Sequence, residues 1–239
     1  MDRTDRCVRD EIPFFQPTPT ADRPLAGMTV LVVEDSRFAS EALRLMCLRS
    51  GARIRRADCL ASAHRHLNTY RPTAVIIDLG LPDGSGLSLI EEMAGAVPRV
   101  PVLLATSGAE RAAAARDAAK AGADAFLPKP VDSLAAFQQA ILDPLPPHLH
   151  PRGPRTVAAD GVEPDPLALR EDLAHALDLL NSDPVPTGYL RRFLLGVARV
   201  SRDTGLLETA RALPPRPAHA DRANLRALLA DRVAGMATV

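Results

Sequence analysis

The chain has 239 residues, 46% of them hydrophobic, and its 29 basic and 29 acidic side chains give a formal net charge of zero. That length holds one large or two small domains, and the charge balance excludes a global pull toward nucleic acid or anionic lipid. Three cysteines without paired spacing, a charged N-terminus and no apolar run near the roughly 18–20 residues of a membrane span point to a reducing, cytoplasmic setting rather than a secreted or membrane one. Residues 1–26 carry Pro13, Pro17, Pro19 and Pro24 among charges with no periodicity, which predicts a flexible tail in which Phe14 and Phe15 pack loosely. From Met28 an apolar run leads into Glu34-Asp35-Ser36, and then Ala39, Leu43, Met46 and Cys47 recur at helical spacing behind Ser36 as N-cap, closed by Ser50-Gly51. A weaker strand at 52–56 and a helix near 59–70 follow. Next comes Ala74 to Asp78, an unbroken apolar run ending on one carboxylate, as suits a strand buried on both faces.

After it the pattern predicts a helix over 85–94, a strand ending at Thr106, an alanine-rich helix over 110–121, a strand D-A-F-L-P leading into Lys129-Pro130, and a helix over 133–142. Alternating strands and helices imply an α/β fold, a doubly wound five-stranded parallel sheet spanning residues 27–142. Residues 143–165 are a proline-rich linker. Residues 166–239 read as purely helical: Leu169, Leu173, Leu177 and Leu180 share one face and Tyr189, Phe193, Val197 and Val200 another, predicting an all-α bundle of three or four helices.

Three strands deliver polar residues to one edge of this sheet. The first gives Glu34 and Asp35 and the third gives Asp78. Carboxylates crowded together repel unless a cation intervenes, and hard oxygen ligands suit Mg²⁺. Thr106 adds a hydroxyl and Lys129, one of only two lysines in the chain, adds an ammonium. A carboxylate nucleophile, a divalent ion, a hydroxyl and a cation are what phosphoryl transfer needs. The histidine pairs His64/His66 and His148/His150 lack the spacing to share a metal and read as solvated surface, and His175 as the border of the bundle core.

Residues 28–142 resemble the receiver domain of bacterial two-component response regulators. The resemblance is carried by Glu34-Asp35, Asp78, the loop Leu81-Pro82-Asp83-Gly84-Ser85-Gly86, Thr106, Phe126 and Lys129-Pro130. It implies that Asp78 accepts a phosphoryl group from phosphohistidine on a histidine kinase or histidine phosphotransfer protein. It also implies that Asp35, Asp78 and the carbonyl of Gly80 hold Mg²⁺, with Glu34 acting through water. Lys129 and Thr106 would contact the phosphoryl oxygens, Phe126 would swing inward as a switch, and the Lys129–Pro130 bond would be cis. Small residues at Gly80, Ser107 and Gly108 would leave the acyl phosphate open to water. A Mg²⁺-dependent phosphatase is the enzyme alternative, but Gly80 stands two residues after Asp78, where a second Asp would serve as general acid.

For the helical region, Arg191 to Leu213 distantly resembles the central part of histidine phosphotransfer domains, with Arg192 standing where that family carries its active histidine. Residues 155–239 hold eleven arginines and eleven acidic residues and no lysine, which disfavours DNA binding. A DNA-binding helix-turn-helix with Gly205 at its turn is the alternative. The preferred output is protein contact, either with a kinase or phosphotransfer protein or as a homodimer through Tyr189, Phe193 and Val197.

Overall fold

Five parallel strands lie in the order β2-β1-β3-β4-β5 in the computed structural model, which describes residues 17–153 and 162–236. Phe14 and Phe15 fall outside the described residues. The strands are β1 (Thr29–Val33), β2 (Arg53–Ala57), β3 (Ala74–Asp78), β4 (Val102–Ser107) and β5 (Ala125–Pro128). Helices α1 (Arg37–Arg49), α2 (Leu60–Thr69), α3 (Gly86–Gly95), α4 (Arg111–Ala121) and α5 (Leu134–Leu142) connect or follow them. The five-stranded doubly wound sheet is the expected one.

Strand pleating sorts the core into two layers. Val30 and Val32 of β1 and Ile76 of β3 face α1 and α5, among Leu43, Met46, Phe137 and Ile141. Leu31, Val33, Val75 and Ile77 face the other side, among Leu89, Ile90, Met93 and Ala118. Every residue of β3 is buried, as a central strand covered on both faces requires, whereas β2 is an edge strand with three exposed residues. Ser36 caps α1 by accepting from the Ala39 amide at 3.0 Å, and Gly51 follows its end at φ +83°.

Two boundaries differ from the sequence reading. The first unit begins before residue 27: Leu25 is fully buried in the α1/α5 layer, and its amide donates to the Ser50 carbonyl at 2.9 Å. A single apolar residue in a proline-rich stretch gives no period to detect. The linker 143–165 is likewise not free at its ends, since Leu145 is buried and Val162 packs on the same layer.

The helical region is a bundle of α6 (Pro166–Asn181), α7 (Thr187–Val200), α8 (Thr204–Ala212) and α9 (His219–Gly235). Asp165 caps α6 with Pro166 in its first turn, and Asp203 both caps α8 and pairs with Arg232 of α9 at 2.8 Å. The turn between α7 and α8 runs through Arg202 at φ 57°, so Gly205 lies inside α8 and not at the turn expected of it. Phe193 and Val197 pack with Leu173, Leu190, Leu206 and Leu225, and Tyr189 points at the sheet. The face proposed for a homodimer is therefore spent inside the chain. No helix among the described residues is long and apolar enough to cross a membrane.

Candidate functional site

Because the strands are parallel, their carboxyl ends share one edge, where open α/β sheets gather their ligands. Asp78 closes β3 and pairs in register with Thr106 of β4. Glu34 and Asp35 follow β1, and Lys129 directly follows β5 and is joined to Pro130 by a cis peptide. Ligand oxygens of Glu34, Asp35 and Asp78 lie within 4.8 Å of one another. Lys129 Nζ sits 2.6 Å from Glu34 Oε2 and 3.4 Å from Asp78 Oδ1, with all three side chains buried.

The electrostatics of this cluster are those of too much negative charge for one ammonium. Burial, reinforced by Asp78 and Asp35, pushes the Glu34 carboxyl well above the usual range against the pull of Lys129. Burial and Asp78 raise Asp35 to about 6. Burial alone would lower Lys129, but Asp78 and Glu34 outweigh it and hold the ammonium firmly protonated. Thr106 Oγ1 is buried without a hydrogen-bond partner, and buried Asp78 Oδ1 has only the Lys129 ammonium at 3.4 Å. Three converging carboxylates, two of them driven toward protonation and all sharing one ammonium, fit a hard divalent cation such as Mg²⁺.

The remaining predicted residues are placed as follows. Phe126 is half-buried in β5 beside Ala105, at the edge of the layer that holds α4. Gly80 lies in the loop beyond β3, where a Cβ would meet Arg192 at 3.4 Å. A Cβ on Gly108 would lie 2.6 Å from the Gly196 Cα. Two of the three small residues expected to leave the site open are thus covered by the bundle. His64 lies 3.6 Å from Glu92, His66 contacts the Arg56 carbonyl at 3.0 Å, and His175 meets Phe193 edge-on, so none of them joins the acidic cluster.

Sequence reasoning missed that the site is completed by the second unit. Tyr189 Oη of α7 donates to Asp35 Oδ2 at 2.6 Å, and burial together with Asp35 raises its own pKa. Asp172 of α6, almost wholly buried, accepts from Ser36 Oγ at 2.6 Å and from the amides of Arg37 and Phe38 at 2.8 and 3.0 Å. Asp172 thus accepts from the first amides of α1, which Ser36 leaves unpaired. One sequence signal pointed here: Gly196 sits in mid-helix, where glycine costs about 1 kcal/mol relative to alanine and marks a close approach.

Comparison with known proteins matches these residues to a family model. The model of the response regulator receiver domain matches residues 30–141. Over 117 residues the chain is 34% identical to the virulence transcriptional regulatory protein PhoP of Salmonella typhimurium (strain LT2), covering 48% of this chain and 52% of that protein. It is 33% identical over the same length to the transcriptional regulatory protein PhoP of Escherichia coli (strain K12). The chain thus spans about half the length of the curated relatives it matches. Among solved structures it is similar to a putative response regulator from Chloroflexus aurantiacus J-10-fl (27% identity, TM-score 0.44, 48% of this chain and 98% of that one). It is also similar to NtrX from Brucella abortus (27% identity, TM-score 0.45, 48% of this chain and 27% of that one).

Proposed function

Since residues 30–141 are a response regulator receiver domain, we propose that this chain is a response regulator of a two-component or phosphorelay system. In this reading Asp78 accepts a phosphoryl group and the helical bundle is the protein-contact output. The observation that carries the proposal is the meeting of Asp78, its two acidic neighbours, an unpartnered Thr106 hydroxyl and Lys129 at one sheet edge.

An Asp78 oxygen attacks phosphorus, the P–N bond of the phosphohistidine breaks, and the imidazole leaves with the electron pair. Lys129, held by Glu34 beside Asp78, pairs with the phosphoryl oxygens, and the Thr106 hydroxyl donates to them. Asp35, Asp78 and the Gly80 carbonyl would hold Mg²⁺, with Glu34 acting through water; the ion supplies neutralisation of the carboxylates and the incoming oxygens. Phe126 moves inward as Thr106 turns, a population shift biased by a local charge. The chain catalyses only its own phosphorylation and dephosphorylation.

Incubating the full chain with acetyl phosphate and Mg²⁺ tests this. One acid-stable, base-labile label per chain, absent in Asp78→Asn, is expected, whereas release of many phosphates per chain with no label retained at Asp78 would make the protein a phosphatase. DNA binding is the second reading of the output, because the curated relatives are named as transcriptional regulators. The equal numbers of arginines and acidic residues beyond residue 154 favour contact with a histidine kinase or phosphotransfer protein. Salt-dependent capture of DNA fragments by the full chain would reverse that preference.

A further inference from the structure

Helix α7 lies across the mouth of the acceptor site from end to end. Its Tyr189 donates to Asp35, Arg192 lies over Gly80, the Gly196 backbone abuts Gly108 and approaches Lys129, and Val200 closes a small void against Thr106 and Lys129. These four positions are spaced by three, four and four residues, which puts them on one face of a helix. A histidine side chain is short, so the main chain that presents a phosphohistidine must come about as near to Asp78 as the α7 backbone does. Two main chains cannot share that volume. What stays open beside α7 is a cleft of about 270 Å³ bordered by Asp78, Gly80, Ser107, Gly108, Arg192 and Leu195. That is several times the roughly 30 Å³ share of a water molecule and suits a donor the size of acetyl phosphate. Arg192 makes no ion pair or side-chain hydrogen bond among the described residues. A guanidinium, always protonated, has no phosphoryl group to hand over.

We propose that α7 fills the receiver's docking face for a phosphodonor protein. The closed chain then takes phosphate from small donors through the cleft, and from a phosphohistidine protein only after the bundle has lifted. The inference rests on Asp78 being the acceptor. With acetyl phosphate, the bond from Asp78 oxygen to phosphorus forms as the P–O bond to acetate breaks and acetate leaves. With a phosphohistidine protein the leaving group is the imidazole. Only the second reaction requires a second polypeptide at the mouth.

The test compares the full wild-type chain with Gly108→Ala and Gly196→Leu, all with Mg²⁺. The first variant places a Cβ 2.6 Å from the Gly196 Cα, which backbone must yield to. The second works from the bundle side: a Cβ at this mid-helix glycine meets Lys129 Nζ at 3.6 Å and no atom of the other bundle helices within 4 Å, and the change improves helix propensity. Opening is read from hydrogen exchange at the Arg37 and Phe38 amides, which Asp172 holds when the bundle is docked. Donors are acetyl phosphate and a panel of histidine phosphotransfer bundles pre-labelled with phosphoramidate.

Acetyl phosphate should label all three chains, and because Gly108 borders its cleft each variant is scored against its own acetyl phosphate rate: the ratio of protein-donor to acetyl phosphate labelling should rise at least about tenfold over the wild type, in proportion to the open population. Equal ratios in wild type and in variants whose amides have become labile overturn the proposal. So does a failure of every protein donor to label an opened chain that acetyl phosphate labels, and so does unchanged amide exchange in both variants. If acetyl phosphate labels none of the three, the acceptor reading itself falls, a different result from any of these.

Discussion

Asp172→Ala isolates the contact that holds the two halves together. The carboxylate is buried, and it accepts three hydrogen bonds from the start of α1: the Ser36 hydroxyl at 2.6 Å and the Arg37 and Phe38 amides at 2.8 and 3.0 Å. Hydrogen bonds to a charged partner are worth roughly 1.5–3 kcal/mol each, but two terms reduce the sum. Burial opposes the ionised form, as the raised Asp172 pKa records, and the freed amides regain water once the bundle lifts. We therefore expect a net loss of about 2–4 kcal/mol in docking, a shift of about 30- to 1,000-fold in the docked-to-lifted ratio. Helix α1 should survive, because the Ser36 side chain still accepts from Ala39. Amide exchange followed by NMR should show Arg37 and Phe38 losing protection while Leu43 and Met46 keep theirs. Unchanged protection at Arg37 and Phe38 would refute the assignment of Asp172 as the clamp, and loss of protection along all of α1 would mean that it stabilises the helix rather than the dock.

Three further outcomes follow from the same geometry. In Mg²⁺-free buffer Asp78→Asn should raise the melting temperature, because the Asp78 carboxylate drives both Glu34 and Asp35 upward; a gain of about 1 kcal/mol is expected, with a smaller further rise on adding Mg²⁺ than in the wild type. Phe137→Ala removes a fully buried ring from the α1/α5 layer and should cost about 3–5 kcal/mol in chemical denaturation, with the bundle's own packing untouched. Asp83 accepts from the amides of Leu60 and Ala61 and so caps α2 from a distant loop. Burial pushes its carboxyl up, but these hydrogen bonds prevail and hold it below the ordinary value of an aspartate. An acid with a lowered folded pKa contributes stability that is complete above its unfolded value and fades as pH falls through the folded one. Asp83→Asn should therefore cost about 1 kcal/mol near neutrality, and less below about pH 4, where melts of the two proteins converge.

The receiver half was legible because each of its signals is local. An unbroken run ending on Asp78 needs no partner to be read as a buried strand, and Ser36 ahead of a helical period announces a cap. Leu25 was not legible, since one apolar residue among prolines carries no period. The bundle was legible as helices and illegible as a surface. Periodicity showed that Tyr189, Phe193 and Val197 are covered but not by what, and a free apolar face and a packed one have the same spacing. The receiver-facing stripe of Tyr189, Arg192, Gly196 and Val200 shares its two ends with that periodic face and differs in Arg192 and Gly196, a cation and a glycine that no hydropathy pattern marks.

That chemistry bears on whether the dock can open at all. A helix meant to stay would bury large apolar side chains against its neighbour, as Phe193 and Val197 do inside the bundle. Across the acidic cluster α7 instead offers a glycine, a guanidinium and one tyrosine hydroxyl beside the apolar Val200 and Leu195, and α6 adds one carboxylate. The exposed pairs Arg37–Glu171 and Arg202–Asp132, both at 2.8 Å, lie at the rim, where such bridges are worth well under about 1 kcal/mol. Most of the directional hold then falls on Asp172 and Tyr189, both of which engage residues beside the acidic cluster, Tyr189 on Asp35 itself. Binding of a cation or a phosphoryl group at Asp35 and Asp78 would compete for the oxygen that anchors Tyr189. The contact that closes the site is therefore tied to the atoms whose state would change on phosphorylation, which couples docking of the bundle to that change.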